Sequence, residues 1–126
     1  MRAVDTNVLV RLITRDDPDQ VERAETWIEQ GAGVSHLALA EAGWVLESVY
    51  ELKPPFIATA MEMLLDHKQL SIEGPDVVSA AAAQLRKTPR LGFSDCLMLE
   101  IARKAGHLPL GTFDRSLAKL DDTQLL

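Results

Sequence analysis

Four acidic side chains lie beside or within apolar segments, where a carboxylate without a partner is costly. They are Asp5, Glu41, Asp95 and Asp114. A lone carboxylate removed from water costs several kcal/mol, and carboxylates close together also repel one another. Such a group persists mainly when a cation neutralises it. The sequence therefore predicts a divalent-metal site built from these four acids.

The intervening sequence alternates short apolar strands with amphipathic helices, and these elements must position the acids. Pro18 and Pro55 are expected to begin two helices, and Asp76 is expected to cap a third over Val77–Lys87. The predicted strands are Arg2–Val4, Gly33–Ser35, Leu70–Ile72, Leu108–Gly111 and Gln124–Leu126. Their continuous apolar character is typical of a sheet buried on both faces. The pattern predicts an α/β three-layer sandwich, with a central mainly parallel sheet of about five short strands flanked by helices.

The ends of the predicted strands carry polar side chains. Asp5, Ser35 and Thr112 fall at three of these ends, and Asp114 lies two residues beyond Thr112. Ligands of parallel sheets bind outside the carboxyl ends of the strands. These side chains are therefore expected to meet at one edge of the sheet, although they are far apart in sequence.

The other two acids are predicted to lie on apolar helical faces. Glu41 shares a face with Trp44, and Asp95 begins a helix in which Met98 lies on the same side. Both carboxylates are therefore expected to point in the same direction as the core residues. For Asp95 and for Asp114, a helix cap or an ion pair is the alternative role.

Composition indicates one globular domain over residues 1–126. Hydrophobic residues make up 47% of the chain and charged residues 25%, an ordinary balance for a folded domain. The single cysteine, Cys96, is expected to be a core residue rather than a nucleophile. Trp27 and Trp44 are likewise expected to pack in the core rather than stack on bases. Neither a leader peptide nor a run of about 18 apolar residues is evident, so a cytoplasmic location without membrane contact is expected.

The net charge of −6 is distributed unevenly along the chain. Residues 1–85 contain 6 basic and 14 acidic side chains, a net charge of −8, whereas residues 86–126 contain 7 and 5, a net charge of +2. Four basic residues are candidate contacts to a nucleic-acid backbone: Arg86, Lys87, Arg90 and Arg115. Solvated helix faces are an equally good interpretation, so charge alone assigns no function.

Four segments of the chain match the motifs of one known family. They are Met1–Val10 (MRAVDTNVLV), Ser35–Glu41 (SHLALAE) with Trp44–Leu46, Phe93–Ala102 (FSDCLMLEIA) and Gly111–Asp114 (GTFD). In this order, and over essentially the whole chain, they resemble the PIN-domain ribonucleases. Within that family, the size and the opening segment are similar to the VapC toxins of type II toxin–antitoxin modules. The resemblance implies a parallel sheet with helices on both sides and an acidic pocket that binds Mg²⁺ or Mn²⁺.

The resemblance also implies a role for each matching residue. Asp5 and Asp95 match the acids that bind metal most directly, while Glu41 and Asp114 match those that complete the pocket or bind metal through water. Four polar residues would orient the carboxylates and hold waters: Thr6, Asn7, Ser35 and Thr112.

The implied reaction is the hydrolysis of RNA phosphodiester bonds by an endoribonuclease that requires Mg²⁺ or Mn²⁺. Hard oxygen ligands suit these cations, which assist attack by water and stabilise the leaving oxygen. The resemblance further implies a cognate antitoxin protein, whose arginine-bearing segment would enter the acidic pocket, and a homodimer. Apolar helical surface on the Leu12–Leu65 side is expected to support that dimer.

Two other functions remain open at the level of the sequence. A catalytically degenerate PIN-like module would bind RNA or protein without cleaving, but the presence of all four acids argues against it. A phosphatase of the haloacid-dehalogenase type would phosphorylate a strand-end Asp and use a second Asp two positions later. This chain has Asn7 at that second position, which disfavours the phosphatase.

Overall fold

The computed structural model describes all 126 residues, which form a helix-rich α/β fold. The six helices are α1 (Thr6–Thr14), α2 (Pro18–Ile28), α3 (His36–Ser48), α4 (Pro54–Asp66), α5 (Pro75–Lys87) and α6 (Phe93–Ala105). The five strands are β1 (Arg2–Ala3), β2 (Ala32–Val34), β3 (Leu70–Ile72), β4 (Leu110–Thr112) and β5 (Thr123–Leu125). A short 3₁₀ helix, Leu117–Lys119, lies between β4 and β5.

All strand pairs are parallel, as the alternation of strands and helices predicts. Strands β1, β2 and β3 form one sheet in that order, with Arg2 opposite Ala32 and Ala32 opposite Leu70. Strands β4 and β5 form a second pair, with Leu110 opposite Thr123. The predicted single sheet of about five strands is thus replaced by a three-stranded sheet and a separate two-stranded one.

The outer edge of β1 is occupied by a side chain, which helps to explain why the sheet ends there. The indole Nε1 of Trp27 donates a hydrogen bond to the carbonyl oxygen of Ala3 at 3.1 Å. The guanidinium of Arg2 lies 4.2 Å from the centre of the same indole ring. An edge strand that is short and covered in this manner offers little to a further strand.

The ends of most strands differ by one or two residues from the predicted ends. Most strands are also more exposed to solvent than predicted. Only β2 has the expected character, with Ala32 and Val34 buried, whereas both residues of β1 are exposed. In β4 and β5 no residue is fully buried. The prediction of strands buried on both faces is therefore wrong outside β2, because the helices cover these short strands only in part.

Prolines and small polar residues set the helix starts. Asp17 caps α2, and Pro18 is its first residue as predicted. Helix α4 begins one residue earlier than predicted, at Pro54. The predicted cap at Asp76 is wrong, because Gly74 precedes α5 in a left-handed conformation and the Asp76 carboxylate instead pairs with Lys104 at 2.8 Å.

Helix α3 lies against both α1 and α6 and carries mostly small residues on its buried face. These buried residues are Ala38, Leu39, Ala42, Gly43 and Leu46. A Cβ added to Gly43 would lie 3.1 Å from Cδ2 of Phe93, so α3 and α6 approach closely at this point. Because α3 carries Glu41 and α6 carries Asp95, this contact sets the relative position of two candidate site residues.

No helix in the structure combines the length and apolar character needed to cross a membrane.

Candidate functional site

Asp5 and Glu41 line the same cavity, and the side chain of Thr6, the residue after Asp5, bonds to Glu41. Asp5 ends the β1 segment and caps α1, its carboxylate accepting a hydrogen bond from the Val8 backbone N–H at 3.2 Å. Thr6 Oγ1 donates to Oε2 of Glu41 at 3.0 Å, with the carbonyl oxygen of Ala38 as a second acceptor at 3.2 Å. The hydroxyl of Thr6 therefore fixes the position of the Glu41 carboxylate, and the role of Thr6 in a metal site stays a prediction.

Asp95 and Asp114 form a second pair. Asp95 lies in the first turn of α6, two residues after the helix begins, and is half-buried. Partial burial raises the pKa of the Asp95 carboxyl, the nearby charge of Asp114 raises the pKa further, and a hydrogen bond to the Gly92 backbone acts in the opposite direction. Two acids from distant parts of the sequence thus repel each other across the gap between α6 and the turn after β4.

The turn that holds Asp114 is organised by its own polar groups. The Asp114 carboxylate accepts hydrogen bonds from the backbone N–H groups of Ser116 and Leu117, at 2.8 and 2.9 Å. Thr112 Oγ1 accepts a hydrogen bond from the Asp114 backbone N–H at 2.9 Å. Arg90 donates to the Ser116 carbonyl oxygen at 3.3 Å and so connects this turn to the loop before α6. Thr112 therefore supports the backbone of Asp114, and its role in orienting a metal-binding carboxylate stays a prediction.

The expected direction of Glu41 is wrong. Glu41 is exposed, and so are Leu37 and Trp44 on the same face of α3, with exposed side-chain fractions of 70% and 63% for the two apolar residues. The opposite face of α3, with its small residues, is the one that packs. Asp95 differs from this pattern: it is half-buried beside the buried Leu99, although Met98 is exposed.

An open cavity of about 460 Å³ lies beside the first acid pair. It is lined by Asp5, Thr6, Asn7, Glu41, Trp44 and Val45. Its volume falls within the usual range for small-molecule and cofactor sites. Trp44 was assigned to the core from sequence and instead forms part of this wall. The signal that could have placed it here was its spacing of three residues from Glu41 on one helical face.

Ser35 and Asn7 have different positions. Ser35 follows β2 and caps α3, its Oγ accepting a hydrogen bond from the Ala38 backbone N–H at 3.1 Å. It therefore acts on Glu41 only by fixing the start of the helix that carries it. Asn7 is exposed and lines the acidic cavity, and it also lines a neighbouring cavity between α1 and α2.

The four basic residues that are candidate contacts to a nucleic-acid backbone differ in their surroundings. Arg86 is engaged at the end of α5, where it pairs with Glu62 and donates to Thr59 at 2.8 Å. Arg90 and Arg115 lie near Asp114, Arg90 through its bond to Ser116 and Arg115 as the adjacent residue. Lys87 is exposed at the end of α5. The structure therefore favours Arg90 and Arg115 over Arg86 as cations beside the acids.

Cys96 is fully buried, as the sequence predicts. Burial raises the pKa of its thiol to about 11, and the charges of Asp95 and Glu100 contribute in the same direction. A thiol with this pKa is protonated at neutral pH, which excludes Cys96 as a nucleophile.

The acids suit a hard divalent cation because all their donor atoms are carboxylate oxygens. Mg²⁺ is commonly held by one or two carboxylates together with water, and the repulsion at Asp95 and Asp114 would be relieved by such a charge. No group of three or more His, Cys, Asp or Glu side chains lies close enough together to hold a metal ion. The structure thus offers two carboxylate pairs rather than one compact cluster of four.

Comparison with known proteins gives one match. Residues 2–123 match the family model described as PIN domain, which covers nearly the whole chain. Neither the curated proteins nor the solved structures contain a significant match to the chain.

Proposed function

The chain belongs to the PIN-domain family, whose members are generally nucleases, and from this premise we propose that it is an endoribonuclease that requires Mg²⁺ or Mn²⁺. The proposal depends chiefly on one observation. Asp95 and Asp114 come from separate elements and repel each other, and neither forms a salt bridge with a basic side chain. Hydrogen bonds to the backbone explain each acid separately, since Asp114 accepts from Ser116 and Leu117, but they do not explain why the two charges face each other. A cation site would explain that arrangement.

The proposed roles follow from the positions of the acids. Asp95 and Asp114 would hold the cation, with Asp5 and Glu41 completing the site from the neighbouring pair. When bound, the cation would stabilise charge on the phosphodiester and make a water molecule more acidic. Thr6 keeps the Glu41 carboxylate in place by donating a hydrogen bond to it. Arg90 and Arg115 would attract the RNA phosphates toward an otherwise acidic surface.

RNA cleavage by purified variants tests this function. The wild-type protein is expected to cut a short, unstructured, end-labelled RNA in Mg²⁺ or Mn²⁺ and to stop in EDTA, leaving 5′-phosphate ends. Asp95→Asn is expected to abolish cleavage. Asp121→Asn removes the same charge from an exposed carboxylate that forms no ion pair, and is expected to leave cleavage unchanged. Equal cleavage by wild type and Asp95→Asn would contradict the proposal.

The toxin role is a further part of the proposal, supported by the resemblance of the opening segment to VapC proteins. A cognate antitoxin would carry an arginine that pairs with the carboxylates of the open acidic cavity. Induced expression of the wild-type chain alone is expected to arrest growth, whereas Asp95→Asn is expected to be harmless. Growth arrest by both the wild type and Asp95→Asn at equal protein levels would show that the effect does not require Asp95 and would contradict this part of the proposal.

A homodimer is proposed as well. The dimer surface is expected to lie between Leu12 and Leu65 in the sequence. These two residues are half-buried against the core, but several apolar side chains at intervening positions are exposed. These are Leu37, Trp44, Val49, Phe56 and Met63. Light scattering across a range of concentrations is expected to give twice the mass of the chain, and a single-chain mass throughout would contradict it.

A catalytically degenerate module that binds RNA or protein without cleaving is the alternative to the nuclease. The absence of any compact group of three metal-binding side chains is the observation in its favour. Calorimetric titration with Mn²⁺ distinguishes the two, because a nuclease is expected to bind the ion and Asp95→Asn to weaken that binding. A wild-type protein that binds RNA but not Mn²⁺ would favour the module.

A further inference from the structure

The β4–β5 segment, residues 108–126, carries Asp114 but has few directional contacts with the rest of the protein. Its two strands hydrogen-bond to each other and to no other strand. Apolar side chains attach it, since Leu117 is buried and Leu110 and Leu120 pack partly against the core. Because hydrophobic contacts are non-directional, they bring the segment to the core without fixing its orientation.

Two arginines supply the side-chain hydrogen bonds between this segment and the rest of the protein. Arg90 contributes one, to the Ser116 carbonyl oxygen at 3.3 Å. Arg103 contributes two, because its Nε donates to the Asp122 carboxylate at 3.1 Å and its Nη2 donates to the Asp121 carbonyl oxygen at 2.9 Å. The Arg103 bonds are shorter, and one of them joins two opposite charges, so Arg103 provides the stronger connection.

Arg103 is itself held in place on α6. Its Nη1 donates to the Glu100 carboxylate at 2.6 Å, about one turn earlier in the same helix, and its side chain is 26% exposed. The planar guanidinium therefore bonds to its own helix on one side and to the turn before β5 on the other. The single ammonium group of a lysine does not reproduce this geometry.

The bond to Asp122 leads by a short path to Asp114. Asp122 has a left-handed backbone conformation, with φ of +67°, and its carbonyl oxygen accepts a hydrogen bond from the Leu110 backbone N–H at 2.8 Å. Leu110 begins β4, and β4 ends at Thr112, whose hydroxyl accepts a hydrogen bond from the Asp114 backbone N–H. Arg103 therefore links α6 to the strand that precedes Asp114.

We propose that Arg103 is a positioning residue of the metal site, which holds Asp114 at the spacing from Asp95 that a divalent cation requires. This inference rests on the proposed metal-dependent ribonuclease and adds a residue on which its metal affinity depends. Asp95 lies in the first turn of α6 and Arg103 in the last turn. At 1.5 Å per residue they are about 12 Å apart along the helix axis. Arg103 therefore acts through the β4–β5 segment and not by contact with the cation.

Calorimetric titration of the metal-free protein with Mn²⁺ tests this role without cleavage. Arg103→Met keeps the apolar stem and removes the donors, so it is expected to weaken Mn²⁺ binding by about 10-fold, as for other groups that orient metal ligands. Arg103→Lys keeps the charge and fewer of the bonds, and its affinity is expected to lie between those of wild type and Arg103→Met. Lys104→Met is the matched control, because it removes the same charge from a neighbour that pairs with Asp76 on α5. Its affinity is expected to equal that of the wild type.

A second set of variants identifies the bond responsible. Asp122→Gly removes the carboxylate, and Gly adopts the left-handed conformation without strain, so most of the same loss of affinity is expected. The double variant of Arg103→Met and Asp122→Gly is expected to bind Mn²⁺ no more weakly than Arg103→Met, because the two residues act through one bond. Glu100→Gln removes the ion pair within α6 and leaves the bonds to the turn, so wild-type affinity is expected.

Amide hydrogen exchange in EDTA reports on the turn independently of any metal. The Leu110 amide bonds to the Asp122 carbonyl oxygen and the Ser116 amide to the Asp114 carboxylate. Both amides are expected to exchange faster in Arg103→Met than in wild type, whereas the amides of α4 and α5 are expected to be unchanged. If exchange is fast throughout the chain, Arg103→Met does not fold, and Asp122→Gly takes its place in the binding measurement.

The outcomes separate this inference from the function on which it rests. Wild-type Mn²⁺ affinity in Arg103→Met, or in Asp122→Gly in its place, would overturn the inference while the ribonuclease stands, because Arg103 would then serve the fold alone. An equal loss of affinity in Lys104→Met would also overturn it, since the effect would follow from charge and not from position. A wild-type protein that neither binds Mn²⁺ nor cleaves RNA would overturn the ribonuclease itself, whichever result the variants give.

Discussion

Asp95, in the first turn of α6, and Asp114, in the turn after β4, lie close enough for their charges to repel each other. Partial burial of Asp95, followed by the charge of Asp114, raises the pKa of the Asp95 carboxyl above its ordinary value of 3.8. The ionised form of Asp95 is therefore disfavoured in the folded protein relative to the unfolded chain. A bound cation would reverse this penalty, which makes the pair a sensitive point of the site.

Replacing Asp95 by Asn is expected to raise the melting temperature of the metal-free protein at neutral pH. A raised pKa means that the folded state holds its proton more tightly, so the contribution of Asp95 to stability is fully present below pH 3.8 and is lost as the pH rises through the raised pKa. Thermal unfolding in EDTA measures the effect, and the gain is expected to shrink as the pH is lowered toward 4. A destabilised Asp95→Asn protein at pH 7 would show that Asp95 has a favourable partner instead.

Thr6→Val tests the hydroxyl that holds the Glu41 carboxylate in place. The substitution keeps the shape of the side chain and removes the hydrogen bond to Glu41, so cleavage is expected to fall by about 10-fold to 100-fold, as for other groups that orient metal ligands. Thr26→Val is a matched control, because Thr26 is exposed and its hydroxyl forms no hydrogen bond. Equal cleavage by the two variants would mean that Glu41 needs no orienting group.

Gly43→Ala tests the close approach of α3 and α6. The added methyl group would lie 3.1 Å from Cδ2 and 3.2 Å from Cβ of Phe93, and a contact near the backbone of Phe93 cannot be relieved by rotating its ring. Overpacking of this kind costs about 1–3 kcal/mol, against about 1 kcal/mol gained from the better helix propensity of Ala. Urea unfolding is expected to show a net loss of stability.

A double-mutant cycle identifies the source of that loss. Combining Gly43→Ala with Phe93→Leu is expected to cost less than the sum of the two single changes, because Leu removes the ring contact with the methyl group and leaves only the contact at Cβ. Strict additivity would indicate that the two positions do not press on each other.

The buried thiol gives a chemical test of the core. Because Cys96 is fully buried and the pKa of its thiol is raised to about 11, the native protein is expected to react slowly with a disulfide reagent at neutral pH. In denaturant, one thiol per chain is expected to react at once. Rapid labelling of the native protein would place Cys96 in a mobile or open region.

Much of the site was predictable because strand ends and caps have local chemical signals. Asp5 and Ser35 follow β1 and β2, Thr112 is the last residue of β4 rather than the residue after it, and the hydroxyl of Thr6 bonds to Glu41. Strand ends and helix caps depend on a few neighbouring residues, so they can be predicted from the local sequence.

The direction of Glu41 was not predictable in the same manner. Periodicity identifies which residues share a helical face, but α3 is apolar on more than one side, and periodicity does not say which side is covered. The covered side proved to be the one with Ala38, Ala42 and Gly43, because small residues allow α1 and α6 to approach closely. Leu37 and Trp44 were therefore left exposed beside Glu41.

The division of the strands into two sheets also depends on distant contacts. Strand β1 has only 2 residues, and Trp27 from α2 occupies its outer edge at Ala3. Neither fact follows from the pattern of the strands themselves. The same holds for Arg86, whose pairing with Glu62 on another helix removes it from the set of free cations.

Manganese in a crystal of the protein tests the central claim most directly. After a soak in Mn²⁺, an anomalous difference map is expected to show a peak between the carboxylates of Asp95 and Asp114, and no such peak in Asp95→Asn. A map with no peak at this pair, in crystals that bind the ion elsewhere, would contradict the assignment of these acids as a metal-binding nuclease site.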